Sequence, residues 1–147
     1  REGNGWSHKY ARRQWNLVDN PDLDYHFLGD FDREMLRTLK LERNIQNKPV
    51  QEIWHNDGDQ ILAYMRGNLI FIFNFNPTRS FTDYGFLVPT GSYDVVLNTD
   101  AKEFGGNGLA DDTMTHLTNY DPAYVSERKE WLKLYIPARS AVVLKKN

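Results

Sequence analysis

Residues 50–77 read VQEIWHNDGDQILAYMRGNLIFIFNFNP, and their punctuation sets the fold class. Val50 to His55 has strand character and runs into Asn56-Asp57-Gly58. Asp-Gly is a strong hairpin signal, because both central residues of a type I′ turn take positive φ. Ile61 to Arg66 returns, with Ile61, Ala63 and Met65 on one face. Gly67-Asn68 is a second tight turn. Leu69 to Phe75 follows and is at first apolar on both faces, which is the pattern of a central strand covered from both sides. Pro77 stops it.

The alternation continues downstream. Phe81 to Val88 is a weaker strand candidate. Pro89-Thr90-Gly91 turns the chain into Ser92 to Asn98, where Tyr93, Val95 and Leu97 are expected to share a face. Gly105, Gly106, Asn107 and Gly108 mark a loop, and Thr113 to Thr118 reads as an edge strand. Trp131 to Ile136 alternates cleanly, with Leu132, Leu134 and Ile136 inward. Pro137 breaks it before a last strand, Ala141 to Leu144. Seven or eight short strands with turns every 8–12 residues predict an all-β antiparallel sandwich.

Upstream of Lys48-Pro49 the period changes. Asp19-Asn20-Pro21 is a helix start, with a side-chain oxygen at the cap and Pro in the first turn. Gly29 is expected to end this short helix and Asp30 to cap a second one. Phe31, Met35 and Leu39 fall on one stripe, with Leu36 beside them, and Arg33, Glu34, Arg37 and Lys40 lie off it. The stripe needs a partner surface, from this chain or from a missing part.

The chain has 147 residues, room for one domain and an appendage. It has no Cys, so disulfides and thiolate chemistry are excluded. Its formal charge is −2, which argues against nucleic acid as a partner, since neutralising phosphates needs a basic face. The longest purely apolar run, Leu69 to Phe73, is far short of the roughly 20 residues of a membrane span. The chain starts at Arg1 without a signal-like segment and reads as a piece of something longer. Its one Asn-x-Thr triplet, Asn76-Pro77-Thr78, is blocked by its Pro, so nothing marks secretion and a cytoplasmic setting is expected.

Motifs for chemistry are mostly absent. His8, His26, His55 and His116 lack metal-site spacing, and no metal or cofactor is expected. The Gly105–Gly108 run has no following Lys-Ser/Thr, and no Gly-x-Ser-x-Gly elbow occurs. Asp100, Glu103, Asp111 and Asp112 miss the EF-hand ladder and are expected to form a solvated acidic loop. One segment stands out. Residues 1–15, REGNGWSHKYARRQW, combine Trp6 and Trp15 with Arg12, Arg13 and several amides. Indole faces stack on sugar rings while guanidinium and amide groups bond hydroxyls, so this is the composition of a sugar site.

Residues 1–19, then Phe27-Leu28-Gly29-Asp30-Phe31-Asp32-Arg33, Leu69 to Pro77, Phe81-Thr82-Asp83-Tyr84, Asn98 to Gly106 and Leu134 to Ala141 resemble, in order, the C-terminal region of 1,4-α-glucan (glycogen) branching enzymes. These belong to the α-amylase superfamily, and the similarity is to their eukaryotic-type branch. The resemblance implies a Greek-key β-sandwich of the amylase C-terminal type over 49–147. Residues 1–48 would be the tail of a (β/α)8 barrel, a loop and closing helices. It also implies a parent reaction in which an aspartate attacks an α-1,4 chain, a glutamate protonates the leaving oxygen, and the glycosyl unit passes to a 6-hydroxyl. Those carboxylates would lie upstream of Arg1, so no residue here is expected to be catalytic.

The implied partners are that barrel and an α-glucan of the glycogen type. Exposed aromatics would hold the glucan: Trp54, Tyr84, Tyr120 and Trp131, with Trp6, Arg12, Arg13 and Trp15 in the barrel tail. Of Arg12 and Arg13, one is expected to face glucan and the other a structural carboxylate. Two other readings stand beside this one: a free-standing carbohydrate-binding module, and a purely structural or interaction domain.

Overall fold

The computed structural model describes residues 14–147. Its centre is a six-stranded antiparallel sheet of β1 (Val50–Asn56), β2 (Ile61–Arg66), β3 (Leu69–Asn74), β8 (Ser140–Lys146), β5 (Ser92–Asn98) and β6 (Thr115–Leu117), in that spatial order. β4 (Phe81–Pro89) and β7 (Lys129–Ile136) pair as a two-stranded ribbon. The ribbon covers one face of the sheet, and helix α1 (Tyr25–Leu41) packs on the other. The fold is therefore the antiparallel, open sandwich that the strand pattern predicts, with β6 at an edge as expected.

β3 shows why its sequence is apolar on both sides. Ile70 and Ile72 join the larger core with Phe86 and Val88 of β4 and Leu132, Leu134 and Ile136 of β7. Leu69 and Phe71 face the other way, into a core with Ile45, Leu97 and Val143 that is closed by Phe31, Met35 and Leu39 of α1. The stripe of the helix thus finds its partner within this chain. Leu36, by contrast, is 52% exposed, together with Tyr25 and Leu28 on an adjoining shoulder.

Several local expectations are corrected. α1 is one continuous helix, and Gly29 lies inside it. A Cβ at Gly29 would come within 2.7 Å of the Val18 side chain, so the glycine serves close packing of the preceding segment instead of a helix stop. The β1–β2 connection is a four-residue loop, 57–60, instead of a two-residue turn. Its positive φ falls on Gln60, and Asn56 Oδ1 accepts the Asp59 N–H at 2.9 Å. Gly67-Asn68 does form the expected tight turn, with Gly67 at φ 61°.

Leu97 does not share a face with Tyr93 and Val95. A bulge between Val95 and Leu97 shifts the register against β8 and turns Leu97 toward the helix. The weak candidate β4 is the longest strand, at nine residues. Its propensity is diluted by Gly85, where an added Cβ would stand 3.1 Å from the Trp131 ring, and by a bulge carrying Asp83 at φ 53°.

Two buried polar groups tie the layers. Asn74, 2% exposed at the end of β3, donates through Nδ2 to the carbonyls of Arg79 (2.9 Å), Pro137 (2.9 Å) and Ile136 (3.3 Å). Its Oδ1 accepts the Asn76 N–H at 3.0 Å. Tyr93 is fully buried and its hydroxyl donates to the Pro89 carbonyl at 2.6 Å; burial pushes the phenol up to about 12.

Candidate functional site

The aromatic residues that the sequence nominates fall into separate places. Trp6, Arg12 and Arg13 lie outside the described residues. Trp15 is 67% exposed in a short 3-10 turn ahead of α1. Tyr120 is also strongly exposed, in the loop between β6 and β7.

Trp54 and Tyr84 are brought together, 30 residues apart in sequence. The Trp54 indole N–H donates to the Tyr84 hydroxyl at 3.1 Å, and that hydroxyl donates to Asp59 Oδ2 at 3.1 Å. The second oxygen of Asp59 lies 3.3 Å from the Arg79 guanidinium, which stands 4.8 Å over the Phe81 ring. Burial raises the Tyr84 phenol above its ordinary value, so it keeps its proton and can donate to the carboxylate at neutral pH. One bulge brings each aromatic to this spot. Ile53 is the extra residue in β1, so Trp54 pairs with Ala63, which points toward the ribbon. The register shift between Phe81 and Tyr84 likewise lets both of those rings face the core side of β4, 5.2 Å apart.

Trp131 occupies the opposite phase to Leu132, Leu134 and Ile136, as its strand pattern predicts, on the outer face of the ribbon. Its ring lies over Gly85, its N–H donates to Asp121 Oδ2 at 2.9 Å, and Tyr124 packs edge-on with centroids 5.8 Å apart. The Ala123 backbone N–H and this indole N–H together hold the Asp121 carboxyl below the usual carboxylate range. Nothing in the sequence singles out Asp121, Asp59 or Arg79. Asp59 and Arg79 sit in loops and meet partners 20 or more residues away, and Asp121 meets Trp131 across a ten-residue turn, so no short motif marks them.

The acidic loop is also different from its expectation. Asp100 is 6% exposed, and its carboxylate accepts the backbone N–H groups of Asn107 (3.2 Å), Leu109 (2.5 Å) and Ala110 (3.1 Å). It organises the Gly-rich turn instead of meeting solvent, and a Cβ on Gly106 would strike the Asp100 backbone at 2.2 Å. Glu103, Asp111 and Asp112 remain exposed. Among the described residues no three His, Asp or Glu side chains gather in a way that could hold a metal ion. His55 is raised by its hydrogen bond to Glu52 at 2.7 Å, while burial lowers His116.

The second feature of note is an apolar groove of about 350 Å³ between α1 and the sheet. Its floor includes Tyr64, Phe71 and Phe73, whose rings stack on one another, and Phe75 continues the row.

The described residues thus form an antiparallel β-sandwich that carries two hydrogen-bonded indoles, Trp54, which is exposed, and Trp131, which is half-buried. Comparison with known proteins makes the class specific. Residues 53–147 match the family described as "Alpha amylase, C-terminal all-beta domain", and the chain belongs to that family. Over 142 residues it is 42% identical to the 1,4-alpha-glucan-branching enzyme of Saccharomyces cerevisiae, covering 96% of this chain and 20% of that protein. The enzymes of the same name from Rhizophagus irregularis and Dictyostelium discoideum are each 41% identical, over 98% and 99% of the chain. The chain thus spans about a fifth of the length of these relatives. No helix among the described residues is long and apolar enough to cross a membrane.

Proposed function

We propose that this chain is the non-catalytic C-terminal part of a 1,4-α-glucan branching enzyme that works in the cytoplasm on glycogen. The parent transfers an α-1,4 glucan segment to a 6-hydroxyl, and its nucleophile and acid/base carboxylates lie on a (β/α)8 barrel upstream. Residues 1–48 are the tail of that barrel and residues 49–147 the amylase-type domain. The observation that carries this reading is identity of 36–42% with branching enzymes over 96–99% of the chain, well beyond residues 53–147 that the domain family matches. The absence of Cys and the Pro-blocked glycosylation triplet fit a cytoplasmic setting.

The domain's first role is structural. α1 buries one stripe on the sheet and leaves Tyr25, Leu28 and Leu36 exposed beside it, an apolar shoulder on which the barrel would rest. Its second role is to hold glucan away from the active site. Trp54, Tyr84, Tyr120 and Trp131 are the candidate residues for this in the β domain, with Trp6, Arg12, Arg13 and Trp15 from the N-terminal segment of the sequence.

The purified chain, incubated with linear α-1,4-glucan and assayed for α-1,6 linkages, should show none above blank. Turnover above blank would overturn the division of labour, because retaining transglycosylation needs two carboxylates about 5–5.5 Å apart and facing one sugar.

A further inference from the structure

The Trp54 cluster is built more deliberately than a surface aromatic requires. Two bulges, in β1 and in β4, each shift one strand by a residue, and together they bring an indole and a phenol from different sheets into hydrogen-bond contact. Bulges of this kind re-aim side chains at functional positions. The indole N–H is already satisfied by Tyr84, yet the residue remains 45% exposed. Its polar handle is therefore fixed, its orientation is set, and part of its apolar ring surface stays in water. Beside it stand Asp59, whose side chain is 26% exposed, and Arg79, 59% exposed. The carboxylate is two hydrogen bonds from the indole N–H, through Tyr84, and Asp59 in turn steadies the guanidinium. A preset aromatic plane flanked by a hydrogen-bond acceptor and a donor is what a pyranose needs: one apolar C–H face and a rim of hydroxyls.

We propose that Trp54, Asp59 and Arg79 form a binding site for one glucose unit of an α-1,4-glucan chain, the ring stacked on Trp54 and its hydroxyls bonded by Asp59 and Arg79. Tyr84 acts as a positioning residue, holding the indole. This site rests on the glucan reading above and names where in the β domain that contact is made. Trp131 serves less well: its ring is laid on Gly85, its edge is met by Tyr124, and its N–H is taken by Asp121.

The test is binding of maltoheptaose to the 147-residue chain by titration calorimetry, with thermal melts of every variant alongside. Wild type should bind, Trp54→Ala should weaken binding at least about tenfold, and Arg79→Gln should weaken it about threefold or more. Trp54→Phe separates stacking from structural tethering. It keeps an aromatic face but loses the N–H to Tyr84, so it should retain more affinity than Trp54→Ala even if both melt lower. If wild type binds and both Trp54→Ala and Arg79→Gln bind equally well, this site is wrong while glucan binding by the domain stands. If wild type does not bind maltoheptaose, the site and the glucan-holding role fall together, and branching-enzyme membership is untouched. Should Trp54→Ala fail to fold, Arg79→Gln, on an exposed side chain, decides the matter alone.

Discussion

Asn74→Asp is expected to be among the most damaging single substitutions in the chain. It is nearly isosteric, so no cavity forms and no packing is lost. The change is confined to replacing an NH₂ donor by an oxygen. In the native protein that NH₂ faces the carbonyls of Arg79, Ile136 and Pro137, and the whole side chain is 2% exposed. With Asp, a carboxylate would face those three carbonyl oxygens, and only the Asn76 N–H would still donate to it. Leaving buried acceptors unsatisfied costs about 1–3 kcal/mol each, and an unpaired buried charge about 3–5 kcal/mol. A loss of at least about 3 kcal/mol at pH 7 is therefore expected, out of a typical domain stability of about 5–15 kcal/mol. The pH dependence follows by linkage. The variant carboxyl would have its pKa raised in the folded state by burial and by the facing carbonyls, so the folded state binds the extra proton. The penalty should then ease as pH falls and grow as pH rises through that raised pKa. Urea unfolding at pH 5 and pH 7 checks both statements, and an unfolding free energy within about 0.5 kcal/mol of wild type at pH 7 would show that the Asn74 hub is not a structural tie.

Removing residues 1–48 is the second large expected effect. The boundary at Lys48-Pro49 marks where the sequence period changes, but the packing crosses it. Ile45, 6% exposed, belongs to the same cluster as Leu69, Leu97 and Val143, and Phe31, Met35 and Leu39 close that cluster from α1. Full burial of a side chain of this size is worth about 1.5–3 kcal/mol, so partial burial of several should contribute about 3–6 kcal/mol. A chain of residues 49–147 should therefore bind a hydrophobic dye, self-associate and unfold at a much lower midpoint than the full chain. Met35→Asp tests the same face without a truncation, since it sets a carboxylate in an almost wholly apolar groove; it should lower the midpoint by more than Arg33→Asp, on the solvent side of the same helix. A truncated chain that stays monomeric, binds no dye and keeps the parental midpoint would mean that the helix is an appendage and the sheet's outer face is content in water.

These two cases show what the sequence disclosed and what it withheld. Periodicity is a local quantity, so it located β2, β3, β5, β7 and the Phe31–Leu39 stripe almost to the residue, and the two-sided apolar run of β3 announced a covered central strand. A bulge breaks periodicity without leaving a mark of its own. It turned Leu97 away from Tyr93 and Val95, and it sent Trp54 to the ribbon side, where it meets Tyr84. Glycines misled in the opposite direction. Gly29 has the look of a helix stop and Gly85 dilutes β4, yet each is small because Val18 or Trp131 lies against it. Asp100 looks in sequence like one of its acidic neighbours, but three backbone N–H groups from a loop up to ten residues later draw it inside. The candidate glucan site is legible only as its two aromatics, Trp54, which is exposed, and Tyr84, which is half-buried. Asp59 and Arg79 come to it through loops whose positions depend on the pairing of β1 with β2 and on the path from β3 to β4.

In the proposed parent enzyme, the acids of the reaction are encoded ahead of this segment. Reading the coding sequence upstream of the Arg1 codon tests it directly. The expected result is an open reading frame that continues without interruption into a (β/α)8 barrel carrying the aspartate nucleophile and glutamate acid/base. An initiating codon at or just before Arg1, with no barrel encoded in frame, would contradict it and leave a free-standing β-sandwich in its place.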